Sequence, residues 1–115
     1  MLRKLLKCKI HRATLTSTEL QYEGSISVDQ RLLDAAGIVP YEAVHVWNIN
    51  NGQRFETYAL AAPEDSGQIC LNGAAARLGQ PGDKVIIATF CWLEDKAAGE
   101  YAPEIIAVDD VNRII

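Results

Sequence analysis

The sequence predicts a mainly β fold, because short β-rich segments recur along most of this chain of 115 residues. The clearest are the two runs on either side of Asn51-Gly52, since Asn-Gly between β-rich segments is a strong signal for a two-residue hairpin turn. A continuous apolar run at residues 85–92 is typical of a central strand. Only two short segments have helical features, so the pattern favours a small closed β-barrel in a single domain.

The other strands are predicted from apolar patterns between polar turns. Residues 2–16 show an imperfect alternation, residues 17–19 indicate a turn, and a short extended run then ends at Tyr22. The two arms of the hairpin cover residues 44–50 and 53–60. The remaining strands are predicted at residues 68–71, 85–92 and 105–108, with polar loops at 62–67, 79–83 and 96–103.

The first helix is predicted directly after Gly24-Ser25. Ser27 and Gln30 have the spacing of a capping box, apolar residues then recur at helical spacing to residue 36, and Gly37 suits the position after the last turn. Gly24-Ser25 would then lie at a helix N-terminus, where unpaired N–H groups favour developing negative charge. The same two residues also suit an ordinary loop. A second, brief helical turn is predicted at residues 72–76.

Charge and cysteine usage exclude several classes of function. A net charge of −4 argues against non-specific binding of nucleic acid, and no apolar run is long enough for a membrane span or a signal peptide. The cysteines, Cys8, Cys70 and Cys91, are widely separated and have no metal-ligand spacing. We therefore expect no disulfide framework, no metal site and a cytoplasmic location.

Five blocks of the sequence stand in the order and spacing of one enzyme family. They are residues 9–12 (KIHR), 22–25 (YEGS), 33–38 (LDAAGI), 47–58 (WNINNGQRFETY) and 72–76 (NGAAA). In these blocks the chain resembles the pyruvoyl-dependent aspartate 1-decarboxylases, and the resemblance extends from the N terminus to about Phe90. It implies a six-stranded double-psi β-barrel, a topology that composition does not give.

The resemblance also implies self-cleavage between Gly24 and Ser25. A serine hydroxyl can attack the carbonyl of the preceding residue and convert the amide into an ester, and glycine permits the unusual backbone geometry that the attack needs. In the family, elimination and hydrolysis then give a small chain, here 1–24, and a larger chain, here 25–115. The larger chain begins with a covalent pyruvoyl cofactor made from Ser25, so neither a metal nor pyridoxal phosphate is expected.

The reaction that the resemblance implies is the conversion of L-aspartate to β-alanine and CO₂, for the synthesis of pantothenate and coenzyme A. The pyruvoyl ketone would form a Schiff base with the substrate amine and act as an electron sink. Tyr58 matches the proton donor of the family, and a phenol with an unperturbed pKa of about 10 keeps its proton at neutral pH. Arg54 is the candidate for binding the retained carboxylate, because a guanidinium pairs with it bidentately.

Further residues match positions that serve processing and substrate binding. Thr57 matches a residue needed for self-cleavage, by a hydrogen bond to the Gly24 carbonyl or the ester, although a threonine in a strand is ordinary. Asn72 begins the substrate and oxyanion segment, although its residue type also suits a helix N-cap. Lys9 either adds to the positive field or pairs with the new carboxylate of Gly24. The rest of the matched segment is Gly73, Ala74 and Ala75, and the candidates for the pocket wall are His11, Tyr22 and Trp47.

Strand geometry raises one question about this assignment. In a regular strand Thr57 points away from the face that carries Arg54 and Tyr58. Either the strand is distorted, or both of its faces border active sites, as in the homotetramers that the resemblance implies, whose sites lie between subunits. The alternatives to this enzyme are a non-catalytic β-barrel module that binds a small molecule or a protein, and a thiol enzyme. The need for a maturation factor stays open.

Overall fold

The computed structural model describes residues 1–115 and contains eight strands and three short helices. No helix is long and apolar enough to cross a membrane. In chain order the elements are β1 (Leu2–Thr14), β2 (Ser17–Glu19), β3 (Ser25–Asp29), α1 (Gln30–Ala36), β4 (Ala43–Asn48), β5 (Arg54–Ala62), β6 (Ile69–Asn72), a 3₁₀ helix (Gly73–Leu78), β7 (Lys84–Glu94), α2 (Asp95–Ala98) and β8 (Glu104–Ala107).

All the strands belong to one curled sheet with the order β2-β6-β3-β5-β4-β7-β1-β8. Strands β1 and β2 lie near opposite ends of this order, although only Leu15 and Thr16 separate them in sequence. Three steps of extended chain span about 10 Å, so the sheet must curl until its two ends approach. The Leu15 N–H donates to the Asp83 carbonyl (2.9 Å) and the Thr16 N–H to the Ile69 carbonyl (2.8 Å). The predicted mainly β class is confirmed, with six strands between the short outer strands β2 and β8.

The core is formed by alternate residues of these strands together with one face of α1. In β1 the buried side chains include Cys8 and Ile10, and in β4 they include Val44 and Val46, all four with no exposed surface. They belong to one cluster of 20 buried residues. Complete burial of an aliphatic side chain contributes about 1.5–3 kcal/mol, so this cluster is the main source of stability for the sheet that carries the site.

The first helix begins later than the sequence indicates. Residues Ser25–Asp29 form β3, which pairs in parallel with β5 and antiparallel with β6. The predicted capping box at Ser27 is therefore wrong, because pairing along both edges of the strand outweighs the local signal. Asp29 is the N-cap instead, and its Oδ1 accepts from the Arg31 N–H at 2.9 Å. The predicted C-terminal glycine is confirmed, since Gly37 has a φ of 74°.

Asp29 also fixes the end of β3 to the loop that follows β5. Its Oδ1 accepts from the Asp65 N–H and its Oδ2 from the Gly67 N–H, each at 2.9 Å. The side chain is 1% exposed, so these backbone donors are satisfied without water. One carboxylate thus holds the helix start, the loop and the strand that begins with Ser25.

Two predicted turns differ in the structure. Residues Ser17–Glu19 form β2, which pairs in parallel with β6, so the predicted turn at 17–19 is wrong and the chain turns after it. The hairpin β4–β5 is confirmed, but its connection spans residues 49–53 and is longer than a two-residue turn. Of the Asn-Gly pair only Gly52 has a positive φ (77°). The Asn48 Oδ1 accepts from the Asn50 N–H (2.9 Å), which favours this longer connection.

The later part of the chain follows the predictions closely. Strands β6, β7 and β8 lie at the predicted positions, with ends that differ by one or two residues, and the 3₁₀ helix Gly73–Leu78 forms at the predicted helical turn. Strand β7 is central, as predicted, because it pairs with both β1 and β4. The short helix α2 occupies part of the predicted loop at 96–103.

Candidate active site

Ser25 is the first residue of β3 and is completely buried, with 0% of its surface exposed. Its hydroxyl accepts a hydrogen bond from the Asn72 Nδ2 at 2.9 Å and donates to the Glu23 carbonyl at 3.4 Å. Ser25 and Asn72 are direct partners in the antiparallel β3–β6 ladder, so their side chains lie on the same face of the sheet. The helix-terminus environment predicted for Gly24-Ser25 is wrong, since β3 separates both residues from α1.

The Asn72 amide uses all of its strong hydrogen-bonding groups inside the protein. Its Nδ2 donates to Ser25 and to the Ser27 Oγ at 3.0 Å, and its Oδ1 lies 3.2 Å from the Cys70 Sγ. Asn72 is 2% exposed and precedes the 3₁₀ helix, but its side chain does not cap that helix. The NH₂ group of Asn72 therefore donates to the two serine hydroxyls, and the side chain does not act as a helix cap.

Gly73 packs directly against the backbone on the N-terminal side of Ser25. A Cβ at Gly73 would lie 2.7 Å from both the Cα and the nitrogen of Gly24, and 2.8 Å from the Tyr22 carbonyl oxygen. Gly73 also has a φ of 62°, which side chains disfavour. Only glycine meets both constraints. In the same segment Ala74 is exposed, whereas Ala75 is buried in the core.

The register between β3 and β5 brings Thr57 and Tyr58 toward the Gly24-Ser25 segment. Ile26 lies opposite Ala59 in this parallel pair. The observed pairing begins at Ile26 and Ala59, and Gly24 lies in a bend just outside β3. By strand alternation Tyr58 is on the same face of the sheet as Ser25, and Thr57 is on the opposite face.

Strand β5 itself is regular, because it pairs with β4 without a register shift. A distorted strand is therefore not what places Thr57 and Tyr58, and the two residues serve opposite faces. The hydrogen bonds of the Ser25 hydroxyl run to Asn72 and the Glu23 carbonyl, and none comes from Thr57.

Tyr58 is partly buried and packs against an aromatic residue that the sequence interpretation missed. The rings of Tyr58 and Tyr41 are stacked, with centroids 6.1 Å apart and an interplanar angle of 26°. Tyr41 has a φ of 72°, and its N–H donates to the Ala59 carbonyl at 2.7 Å.

Arg54 lies at the other end of β5, in a separate pocket. Its guanidinium stacks on Trp47, its partner in the β4–β5 ladder, with Cζ 4.4 Å from the ring centroid. Arg54 and Tyr58 are four residue steps apart on the strand, so their Cα atoms are about 13 Å apart. The pocket has a volume of about 490 Å³ and is lined by Lys4, His45, Trp47, Arg54, Phe55, Glu56 and Phe90.

The three remaining candidates lie apart from Ser25. Lys9 is partly buried in β1, in the cross-strand row that runs through Ala88 to His45, and therefore on the Arg54 side of the sheet. His11 follows in β1, and its buried Nδ1 has no hydrogen-bond partner. Tyr22 is 60% exposed in the turn before β3. The structure thus brings Asn72 to Ser25 and Gly73 to Gly24, and it pairs Arg54 with Trp47, whereas Lys9 shares only the face of the sheet with Arg54.

The cysteines do not resemble thiol nucleophiles. The buried Cys8 Sγ lies 2.9 Å from the Thr89 hydroxyl, and burial raises the pKa of this thiol, which keeps it protonated. Cys70 is buried against Asn72. Neither sulfur has a hydrogen bond to a histidine, so the structure gives no support to a thiol nucleophile at Cys8 or Cys70.

Comparison with known proteins matches the whole chain. A model of the aspartate decarboxylase family matches residues 1–115, including the segment after Phe90 where the sequence showed no recognised motif. An aspartate 1-decarboxylase of Acaryochloris marina is 57% identical over 115 residues, which are 100% of this chain and 88% of the relative. One of Dehalococcoides mccartyi is 53% identical over 110 residues, covering 96% of this chain and 89% of the relative.

A third relative, an aspartate 1-decarboxylase of Leptospira biflexa, is 55% identical over 114 residues, covering 98% of this chain and 97% of that protein. Each of these three matches covers at least 96% of this chain. On these matches, the chain belongs to the aspartate decarboxylase family.

Proposed function

We propose that this protein is a self-processing aspartate 1-decarboxylase that converts L-aspartate to β-alanine and CO₂. The observation that carries the proposal is the buried Ser25 hydroxyl, which follows Gly24 and is held at 2.9 Å by the Asn72 amide. The family of the chain fits this assignment. A buried serine whose hydroxyl accepts from a buried amide is suited to an intramolecular reaction, because no substrate needs to reach the serine during self-cleavage.

The first step is an acyl shift between adjacent residues. The Ser25 Oγ attacks the Gly24 carbonyl carbon, the bond to the Ser25 nitrogen breaks, and an ester with a free amine results. Negative charge develops on the Gly24 carbonyl oxygen, which requires a donor. Thr57 precedes Ala59, the first β5 partner of β3, by two residues, just as Gly24 precedes Ile26, and this correspondence supports Thr57 as that donor.

The second step is an elimination within the ester. The Ser25 Cα loses its proton, the Cβ–Oγ bond breaks, and Oγ departs as an oxygen of the Gly24 carboxylate. The Asn72 Nδ2 faces Oγ and can donate to the charge that develops there. This elimination separates chain 1–24, and hydrolysis of the dehydroalanine then releases ammonia and leaves chain 25–115 with an N-terminal pyruvoyl group.

The residues around Ser25 fit a pyruvoyl group at this position. Gly73 lacks the Cβ that would otherwise fill the space beside Gly24, and the Asn72 amide and Gly73 backbone would hold the group. When present, the pyruvoyl ketone supplies an electron sink for the electrons of the breaking bond to the α-carboxylate. Tyr58, on the Ser25 face of β5, would then deliver a proton to the substrate carbon.

Substrate binding points to active sites shared between subunits. The carbon chain of aspartate extends only about 5 Å, whereas the Cα atoms of Arg54 and Tyr58 are about 13 Å apart along β5. The Arg54 guanidinium also stacks on Trp47, its partner across the β4–β5 ladder, so within one chain the two functional groups are separated. A homotetramer in which Arg54 and Lys9 of one subunit face Ser25 and Tyr58 of its neighbour resolves this. Free cysteines fit a cytoplasmic location for this enzyme.

Shared sites predict complementation between two inactive variants. Ser25→Ala prevents pyruvoyl formation and Arg54→Ala removes the carboxylate partner, so each variant alone should be inactive. Co-expressed subunits that mix at random should recover about a quarter of wild-type activity, because one site in four pairs an intact Ser25 with a neighbour's intact Arg54. Light scattering should report a tetramer. A monomer, or mixed oligomers without activity, would contradict shared sites.

Two single substitutions, one at Thr57 and one at Tyr58, distinguish self-cleavage from decarboxylation. Thr57→Val removes the donor for the Gly24 carbonyl oxygen, so cleavage should slow by roughly 100- to 1,000-fold and activity should fall with it. Tyr58→Phe keeps the ring and removes only the proton source, so this variant should cleave normally and yet form little β-alanine. The fragment ratio is measured by gel and β-alanine by chromatography. The division of roles is wrong if the two variants behave alike in both measurements.

Gly73→Ala tests the contact that holds the cleavage segment in place. The added Cβ would overlap the Gly24 backbone, so we expect Gly24 to move and cleavage to slow by at least tenfold. Two glycines provide matched controls. Gly37→Ala introduces a side chain at a similar positive φ without an overlap, and Gly99→Ala introduces neither strain nor overlap. Cleavage of Gly73→Ala at the rate of these controls would show that the contact does not matter for processing.

A further inference from the structure

Cys70 contacts the processing site without a role in either proposed step. It lies opposite Ser27 in the β3–β6 ladder and is 3% exposed. Cys70 and Asn72 are two residues apart on one strand, so their side chains lie on the same face. The Cys70 Sγ is 3.2 Å from the Asn72 Oδ1, closer than the Leu71 carbonyl at 3.7 Å, so the thiol donates to the amide oxygen.

This contact distinguishes the two possible orientations of the Asn72 amide. In the observed orientation the NH₂ group donates to Ser25 and Ser27 while Oδ1 accepts from the thiol. After a half-turn of the amide, Oδ1 would face both hydroxyls and the NH₂ group would face sulfur, which is a weak acceptor. The thiol therefore favours the orientation that points the NH₂ group at the Ser25 Oγ.

The orientation of the amide matters most when charge develops on Oγ. During the elimination the electrons of the Cα–H bond form the Cα–Cβ double bond, and the Cβ–Oγ electrons leave with Oγ on the Gly24 carboxylate. An NH₂ group that faces Oγ stabilises this charge, whereas Oδ1 would repel it. In the acyl shift the charge develops on the Gly24 carbonyl oxygen instead, which Asn72 does not contact through this bond.

We propose that Cys70 is a positioning residue for self-processing, whose thiol holds the Asn72 amide so that its NH₂ group assists the departure of Oγ. This inference rests on the proposed function. Loss of the thiol should slow the elimination more than the acyl shift. The ester between Gly24 and Ser25 should then accumulate, a result that a merely structural role for Cys70 would not produce.

The test compares Cys70→Ala with Cys70→Ser, which restores a hydroxyl donor. Hydroxylamine cleaves the ester but not the amide, so the hydroxylamine-sensitive fraction of the full-length chain measures the ester. For Cys70→Ala we expect cleavage about 3- to 10-fold slower than wild type, the range of one neutral hydrogen bond, together with a larger sensitive fraction. Cys70→Ser should process like wild type, and Cys91→Ala is the control for loss of a thiol elsewhere.

A second pair keeps the test decisive if the smaller side chains disturb the fold. Cys70→Val and Cys70→Thr have nearly equal shapes, suit a strand, and differ in one hydroxyl, so Thr should process faster than Val. The proposal is overturned if donors and non-donors process alike, or if slow variants accumulate no ester. If wild type itself never cleaves, the proposed function fails. If wild type and Cys70→Ala cleave equally, only the role of Cys70 fails.

Discussion

The pairing of β3 along both of its edges sets every neighbour of Ser25. The antiparallel ladder with β6 supplies Asn72, and the parallel ladder with β5 begins at Ile26 and Ala59, directly after Ser25 and Tyr58. Asp29 fixes the other end of the strand through backbone donors of the following helix and loop. A shift of one residue in either ladder would turn the opposing side chains to the wrong face. The chemistry of Ser25 therefore depends on register, and the core residues on alternate positions of these strands fix that register.

Under the proposed function, the two faces of β5 serve successive steps. Thr57 lies on the face opposite to Ser25, and it would act while the peptide bond is converted to an ester. Tyr58 lies on the Ser25 side, where a substrate carbon would need a proton only after the chain is cut. A regular strand places consecutive residues on opposite faces without distortion. Arg54 is on the same face as Tyr58 but four residue steps along the strand. Under the proposed function, this separation is the reason to expect that a neighbouring subunit completes the site.

Much of the fold was predictable from local sequence, but the surroundings of Ser25 were only partly so. Gly37 and the apolar run of β7 are strong signals because each depends on only a few neighbouring residues. Gly37 ends the helix in a left-handed conformation, and the apolar run reflects a strand buried on both faces. The predicted start of the first helix was wrong. The spacing of Ser27 and Gln30 is that of a helix cap, but pairing with β5 and β6, which are distant in sequence, holds Ser27 in a strand. The contact of Cys70 with Asn72 becomes visible only when both lie on one strand, and the predicted strand ended at residue 71. Tyr41 carried no signal because its partner, Tyr58, is brought to it by tertiary pairing.

The central claim is that Ser25, held by Asn72 at the start of β3, cuts the chain in front of itself and is changed in the process. The most direct measurement is the intact mass of purified protein after prolonged warming, followed by sequencing of both fragments. The account predicts a fragment of residues 1–24 with a free carboxylate and a fragment of residues 25–115 that is blocked to N-terminal sequencing, with the mass of a pyruvoyl group in place of Ser25. Asn72→Ala should delay both fragments. A wild-type chain that remains intact indefinitely, even with cell lysate added, or that is cut to leave an unmodified Ser25, would contradict the account.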